Sequence, residues 1–144
     1  MTTVRQILGT KGREVWSVSP DTTVYDAIKL MAEKNVGALV VLVEDLLRGI
    51  ISERDYARKV ILKGKSSKEI PVKEIMSTDV VTIQPHQSIE ECMALMTIRR
   101  IRHLPVLESN KLVGVISIGD VVKAIISEQE FVIKQLENYI TGTR

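Results

Sequence analysis

The chain contains the same pattern twice. A shift of 65 positions lays residues 18–55 on residues 83–120 without a gap. Pro20 meets Pro85, Leu30 and Met31 meet Leu95 and Met96, and Val41 and Leu42 meet Val106 and Leu107. Leu47, Gly49, Ile51, Ser52 and Asp55 meet Leu112, Gly114, Ile116, Ser117 and Asp120. Upstream, Val4-Arg5-Gln6-Ile7-Leu8 resembles Val72-Lys73-Glu74-Ile75-Met76 at an offset of 68, so the first copy carries three extra residues there. A period this long is a small subdomain rather than a solenoid unit of about 20–50 residues. Two copies predict a pseudo-twofold pair.

Each copy reads alike. A short strand, Glu14 to Val18 or Val80 to Ile83, leads into a turn with capping residues such as Pro20-Asp21-Thr22-Thr23. Val24, Ala27, Ile28 and Met31 recur at i, i+3, i+4 and i+7, which predicts an amphipathic helix ending near Asn35; Ile89, Cys92, Met93 and Met96 are its twin. Ala38 to Val43 is valine-rich and reads as a buried strand. Glu44-Asp45 and Ser109-Asn110 turn the chain into further strands, Leu47 to Ile51 and Leu112 to Ile116. Second helices follow from Ser52 to Leu62 and from Ser117 to Ser127. The order β-α-β-β-α is an α/β unit whose helices cover a small sheet. The polar stretch Gly64-Lys65-Ser66-Ser67-Lys68 sets the expected boundaries: a first repeat over 1–66, a second over 67–127, and a C-terminal helical extension over 128–144. That extension has no twin. It either packs on its own module or forms a dimer contact.

Composition narrows the function classes. Of 144 residues, 44% are hydrophobic and 26% charged, which excludes disorder as the main state. Twenty basic against eighteen acidic residues, with five aromatics in all, gives no electrostatic or stacking platform for nucleic acid. The longest apolar run is far too short to span a bilayer, and the N-terminus lacks a signal-peptide pattern. One cysteine, Cys92, fits a reducing compartment, so a cytoplasmic location is expected. One Cys and two His without ligand spacing argue against a metal site. No nucleophile, base and orienter set is visible, so no catalytic residue and no enzyme is expected.

The segments Gly49-Ile50-Ile51-Ser52-Glu53-Arg54-Asp55 and Gly114-Val115-Ile116-Ser117-Ile118-Gly119-Asp120 resemble the signature of the CBS (cystathionine β-synthase) domain. Arg102-His103-Leu104-Pro105-Val106 and Val72-Lys73-Glu74-Ile75-Met76 resemble other parts of such repeats, so the likeness covers roughly residues 4–127. The resemblance implies two CBS repeats packed sheet to sheet as one module. It implies clefts between them that take an adenine nucleotide: AMP first, then ATP or a nicotinamide dinucleotide. It further implies a homodimer and an effector protein that the sequence does not identify.

By the same analogy one cleft takes Ser52, Arg54 and Asp55 with Arg102 and His103, and Gln87 and Cys92 near the base. The other takes Ser117, Gly119 and Asp120 with Thr22, Ala27, Gly37 and Ala38. The first set carries the arginines, which suit phosphate oxygens, so the stronger phosphate preference is expected at Asp55. The residues also have a plain reading. Ser52 with Asp55, and Ser117 with Asp120, have the spacing of a capping box. A helix start offers N–H groups to phosphate, and a nearby carboxylate can accept from ribose hydroxyls. The alternative function is a ligand-independent dimerisation or protein-interaction module.

Overall fold

A computed structural model describes residues 2–142. Five helices and five strands follow in order: α1 (Val4–Lys11), β1 (Ser17–Val18), α2 (Val24–Lys34), β2 (Ala38–Val43), β3 (Leu46–Ser52), α3 (Glu53–Lys59), α4 (Ile89–Arg99), β4 (His103–Glu108), β5 (Lys111–Ser117) and α5 (Ile118–Thr141). Short 3-10 turns lie at Ile61–Lys63 and Val72–Glu74. The expected order is complete in the first repeat, β1-α2-β2-β3-α3, and the second gives α4-β4-β5-α5 without its leading strand.

Local chemistry explains most boundaries. Thr23 and Ser88 cap α2 and α4 through their side-chain oxygens. Both helices end on a residue in the left-handed region, Asn35 (φ 55°) and Arg100 (φ 54°). The hairpin turns use positive φ at both central residues, Glu44 and Asp45 in one repeat, Ser109 and Asn110 in the other. That backbone twist matches the strands it joins.

The lead-in strands are shorter than expected. β1 has two residues, paired parallel to β2 at Ser17–Val40 and Val18–Val41. Its twin, expected over Val80 to Ile83, is a single bridge between Ile83 and Val106. The difference traces to one residue. Repeat two has Pro105 where repeat one has Val40. Pro105 can accept the Ile83 N–H (3.0 Å) but has none of its own to return, so the parallel ladder stops there. The helix expected over Ser52 to Leu62 also shortens to Lys59 before a 3-10 turn.

The chain forms two compact units, each drawing on both halves of the sequence. One is Met1–Arg13, Ile83–Val106 and Gly114–Arg144; the other is Glu14–Thr82 and Leu107–Val113. The lead-in segments ahead of those strands, Val4–Leu8 and Val72–Met76, therefore each pack with the other repeat's elements. In the second unit Val24, Ala27 and Met31 of α2 meet Leu39, Val41 and Ile51 of the sheet, and Ile70, Val72 and Ile75 close that core. In the first unit Val4 and Leu8 of α1 are buried, as are Ile89, Cys92 and Met96 of α4, Leu104, Ile116 and Val121. The reason is space over the signature glycines. A Cβ on Gly114 would lie 2.5 Å from Leu8 Cδ2, and one on Gly49 would lie 2.9 Å from the Ser77 carbonyl oxygen. Each lead-in segment lies directly over a strand glycine, which is what a glycine within a strand permits.

Candidate functional site

The two signature junctions are built alike, each from one hairpin. Antiparallel pairing sets the end of β3 beside the start of β2, with Ala38 opposite Ser52. The Glu53 N–H then donates to the Gly37 carbonyl (3.1 Å). In the other repeat the Ile118 N–H donates to the Arg102 carbonyl (2.8 Å). Within the units, then, Ser52, Arg54 and Asp55 stand with Gly37 and Ala38, and Ser117, Gly119 and Asp120 stand with Arg102 and His103. This differs from the expected sets, which paired Arg102 and His103 with Asp55. The start of a hairpin's first strand lies beside the end of its second, so each junction first meets its own repeat. Thr22 is occupied in the turn before α2, where its hydroxyl accepts the Ser19 N–H (3.2 Å) and its carbonyl accepts the Val72 N–H (2.7 Å).

Both aspartates complete capping boxes. Asp55 Oδ2 accepts the Ser52 N–H (2.9 Å), and the Asp55 N–H donates to Ser52 Oγ (3.2 Å). Asp120 Oδ2 accepts the Ser117 N–H (2.8 Å), and the Asp120 N–H donates to Ser117 Oγ (3.2 Å). The capping role is real, but each carboxylate also carries a lysine.

Lys59 Nζ lies 3.2 Å from Asp55 Oδ1 and donates to the Ile75 carbonyl (2.9 Å). Lys11 Nζ donates to Asp120 Oδ2 (2.5 Å) and to the Val115 carbonyl (2.7 Å). The two lysines hold comparable places from non-equivalent positions. Lys59 is one turn on from Asp55 in α3, where its twin is Ala124. Lys11 comes from the end of α1, 109 residues before Asp120. Sequence reasoning named neither. The i, i+4 spacing of Asp55 and Lys59 was a usable signal, whereas nothing local ties Lys11 to Asp120.

Lys11, Lys123, Arg102 and His103 share the unit of Asp120, with Lys11 in direct contact. Burial pushes the Asp120 carboxyl up, but the Lys11 hydrogen bond and then the Ser117 N–H outweigh it, leaving the group below its ordinary value. His103 is held below its ordinary value, first by burial, then by Lys11 and Arg102 against the opposing pull of Asp120. It is neutral at pH 7. The unfolded chain therefore takes up this proton first. His103's contribution to stability is full above the unfolded value of about 6.5 and is lost as pH falls from there towards the folded value. The urea midpoint of the native chain is expected to drop more between pH 7 and pH 5 than that of His103→Gln; equal slopes would remove His103 from this account.

Asp120 opens onto a concavity of about 490 Å³ between α1 and α5, lined also by Lys11, Lys123, Ser127 and Phe131. In the second unit Gly37 and Glu53 edge a smaller hollow of about 400 Å³ beside the end of α2. Gly119 has no bulk near its α-carbon beyond Ser117 Oγ. Cys92 is buried, and its thiol is pushed up to about 11, first by burial and then by Glu91 and Glu90. That is an inert core thiol, not a nucleophile. Among the described residues no group of three or more His, Cys, Asp or Glu is placed to hold a metal ion, and no helix is long and apolar enough to cross a membrane.

A tandem α/β fold with a Gly-to-Asp strand–helix junction in each repeat defines a class, and comparison with known proteins places the chain in it. The CBS domain model matches residues 4–62 and 72–127. The chain belongs to the CBS domain family. It is 42% identical over 151 aligned positions to the CBS domain-containing protein CBSX3, mitochondrial, of Arabidopsis thaliana, spanning 98% of this chain and 73% of that one. It is 38% identical over 107 positions to the CBS domain-containing protein YhcV of Bacillus subtilis, spanning 74% and 76%. A solved structure of a CBS-domain protein from Burkholderia ambifaria MC40-6 superposes with a TM-score of 0.86 at 56% identity, covering 89% of this chain and 96% of that one. Proteins built from such pairs are in general regulatory modules, and the match points to no enzymatic family.

Proposed function

We propose that the chain is a regulatory module that binds an adenine nucleotide of the AMP type at its signature junctions, with the phosphate-preferring event at Asp120. The observation that carries this reading is the aspartate–lysine pair at the capped start of α5, facing a concavity of about 490 Å³. A carboxylate accepts hydrogen bonds from ribose hydroxyls, as acidic residues do in dinucleotide folds. An ammonium beside it supplies the charge a phosphate requires, and the helix start adds its dipole. Because Lys11 belongs to α1, a phosphate that draws it from Asp120 would favour one position of that helix over another, which is what a regulatory signal needs.

Arg102, which shares a hairpin and a unit with Asp120, supports putting the phosphate-preferring event at Asp120 rather than at Asp55. A charge-assisted hydrogen bond contributes roughly 1.5–3 kcal/mol, and water and salt reduce that at a half-exposed site. AMP should therefore bind about tenfold more tightly than adenosine, roughly 1.4 kcal/mol. Calorimetry on the native chain, Asp120→Asn, Asp55→Asn and Lys11→Met tests this. Asp120→Asn should abolish the tighter, salt-sensitive AMP event while Asp55→Asn leaves it. Lys11→Met should weaken AMP but not adenosine. Equal affinity for AMP and adenosine, or loss of the tight event in Asp55→Asn alone, would falsify the assignment. Because both carboxylates are already neutralised by lysines, a second reading stands beside this one: a ligand-independent interaction module. It predicts no heat with any adenosine compound.

A further inference from the structure

The turn after α3 combines surplus charge with surplus apolar surface. Residues 58–69 hold five basic side chains against Glu69 alone, a net charge of +4, whereas the whole chain carries +2. The rest of the sequence is therefore net acidic. The second repeat reverses the pattern. At the 65-residue offset Glu128 and Glu130 stand for Lys63 and Lys65, and Ser127 stands for Leu62. The repeat fold does not itself require a basic, apolar tip.

Backbone bonds fix this turn. Val60 is fully buried and Ile70 nearly so, and both belong to the core of the second unit. Between them the Lys65 N–H donates to the Val60 carbonyl (3.0 Å) and the Gly64 N–H to the Ile61 carbonyl (3.0 Å). Gly64 takes the left-handed φ of 67° that this closure requires. The Tyr25 N–H donates to the Ser67 carbonyl (2.9 Å). The 3-10 turn so held leaves Ile61 56% and Leu62 77% exposed. Tyr25 is exposed too, with Lys68 Nζ 5.0 Å from its ring centre. Lys59 is engaged with Asp55 and the Ile75 carbonyl. No ion pair among the described residues takes up Arg58, Lys63 or Lys65.

These features select an occupant. Basic side chains around aliphatic ones match the anionic headgroups and acyl boundary of a bilayer. A tyrosine suits the headgroup level. Two aliphatic side chains fall well short of the roughly 800 Å² per partner of a stable protein interface, whereas a fluid bilayer needs no complementary groove. Single-stranded nucleic acid calls for several stacking rings, and Tyr25 is the one exposed aromatic of this unit.

We infer that this tip docks on the surface of an anionic phospholipid bilayer. Ile61 and Leu62 enter the boundary between headgroups and acyl chains, and Arg58, Lys63 and Lys65 meet the lipid phosphates. The contact is peripheral and does not depend on nucleotide binding at Asp120.

Sedimentation of the full chain with vesicles tests this. Phosphatidylcholine vesicles with about 30 mol % phosphatidylglycerol should carry the protein down, and phosphatidylcholine alone should not. Raising salt from about 0.1 M to about 0.5 M should weaken the binding. At about fivefold per basic residue, Lys63→Gln with Lys65→Gln should weaken it about 25-fold. Lys111→Gln with Lys134→Gln removes the same charge from exposed positions elsewhere and should leave binding unchanged. Leu62→Ser keeps the charge and should weaken binding at least about tenfold. All of these side chains are exposed, so the fold is retained. A polarity-sensitive dye on Leu62→Cys should report an apolar environment with the mixed vesicles, because the native Cys92 is buried. Equal binding to both vesicle types, or none to either, overturns the inference. Equal loss from both lysine pairs overturns it as well, since net charge alone would then suffice. Indifference to Leu62→Ser with an unshifted dye assigns the tip to a soluble polyanion and not to lipid. A change of oligomeric state in Leu62→Ser without vesicles places a second copy on the tip instead.

Discussion

Replacing Leu8 by alanine is expected to destabilise the protein by about 2–5 kcal/mol, the range for emptying a buried leucine site. Leu8 lies near the N-terminus, where a leucine on a loose arm would cost within about 0.5 kcal/mol. Its environment says otherwise. It is 1% exposed, and it belongs to a helix whose start is fixed by a capping box between Thr3 and Gln6. The Val4 N–H donates to the Gln87 carbonyl (2.8 Å) and the Arg5 N–H to the Pro85 carbonyl (2.9 Å). Glu128 of α5 accepts from the Thr2 N–H and hydroxyl. These bonds hold the Leu8 side chain over Gly114, so the hole left by truncation cannot collapse by letting α1 drift. For a chain of this size each kcal/mol lowers Tm by about 2–4 °C. Urea unfolding measures the cost, and a change under about 0.5 kcal/mol would show that α1 is not part of the first unit's core.

Leu8 also marks where sequence reasoning stopped. The repeat, the amphipathic helices, both hairpin turns and the capping boxes are local patterns, and each lies where its pattern put it. The exchange of lead-in segments is not local. Val4-Arg5-Gln6-Ile7-Leu8 looks the same whichever repeat it packs on, because an apolar stripe states what it must bury and not against what. A clue was present in Gly49 and Gly114, since a glycine inside a strand marks a close approach, but that does not say which segment approaches. The candidate site divides the same way. Ser52 with Asp55 and Ser117 with Asp120 were legible as pairs three residues apart. The neighbourhood of Arg102 and His103 was legible too, from the hairpin alone, since the start of one strand lies beside the end of the next. Lys11 with Asp120 was beyond reach, because only the packing of α1 brings them together.

The signature glycines differ in what lies above them, and that difference sets the second large effect. Gly49→Ala should cost about 1–3 kcal/mol, the usual penalty of overpacking. Its Cβ would stand 2.8 Å from Met76 Sδ and 2.9 Å from the Ser77 carbonyl oxygen. Methionine can bend aside, but the carbonyl cannot. Ser77 and Ile50 exchange two backbone hydrogen bonds, 2.9 and 3.0 Å long, so retreat means stretching both. For Gly114→Ala the three nearest atoms are all in the Leu8 side chain, at 2.5, 3.2 and 3.5 Å. A rotamer change relieves that contact at the expense of packing, so Gly114→Ala should cost less than Gly49→Ala. The clash and the cavity at this site are then complementary. Alanine at 114 fills part of the space that Leu8→Ala empties. The double variant should be more stable than the sum of the two single changes allows, with a coupling of about 0.5–3 kcal/mol. Additive costs, within about 0.5 kcal/mol, would mean that α1 does not lie over Gly114. A Gly114→Ala penalty equal to that of Gly49→Ala would mean that Leu8 is held as rigidly as a backbone carbonyl.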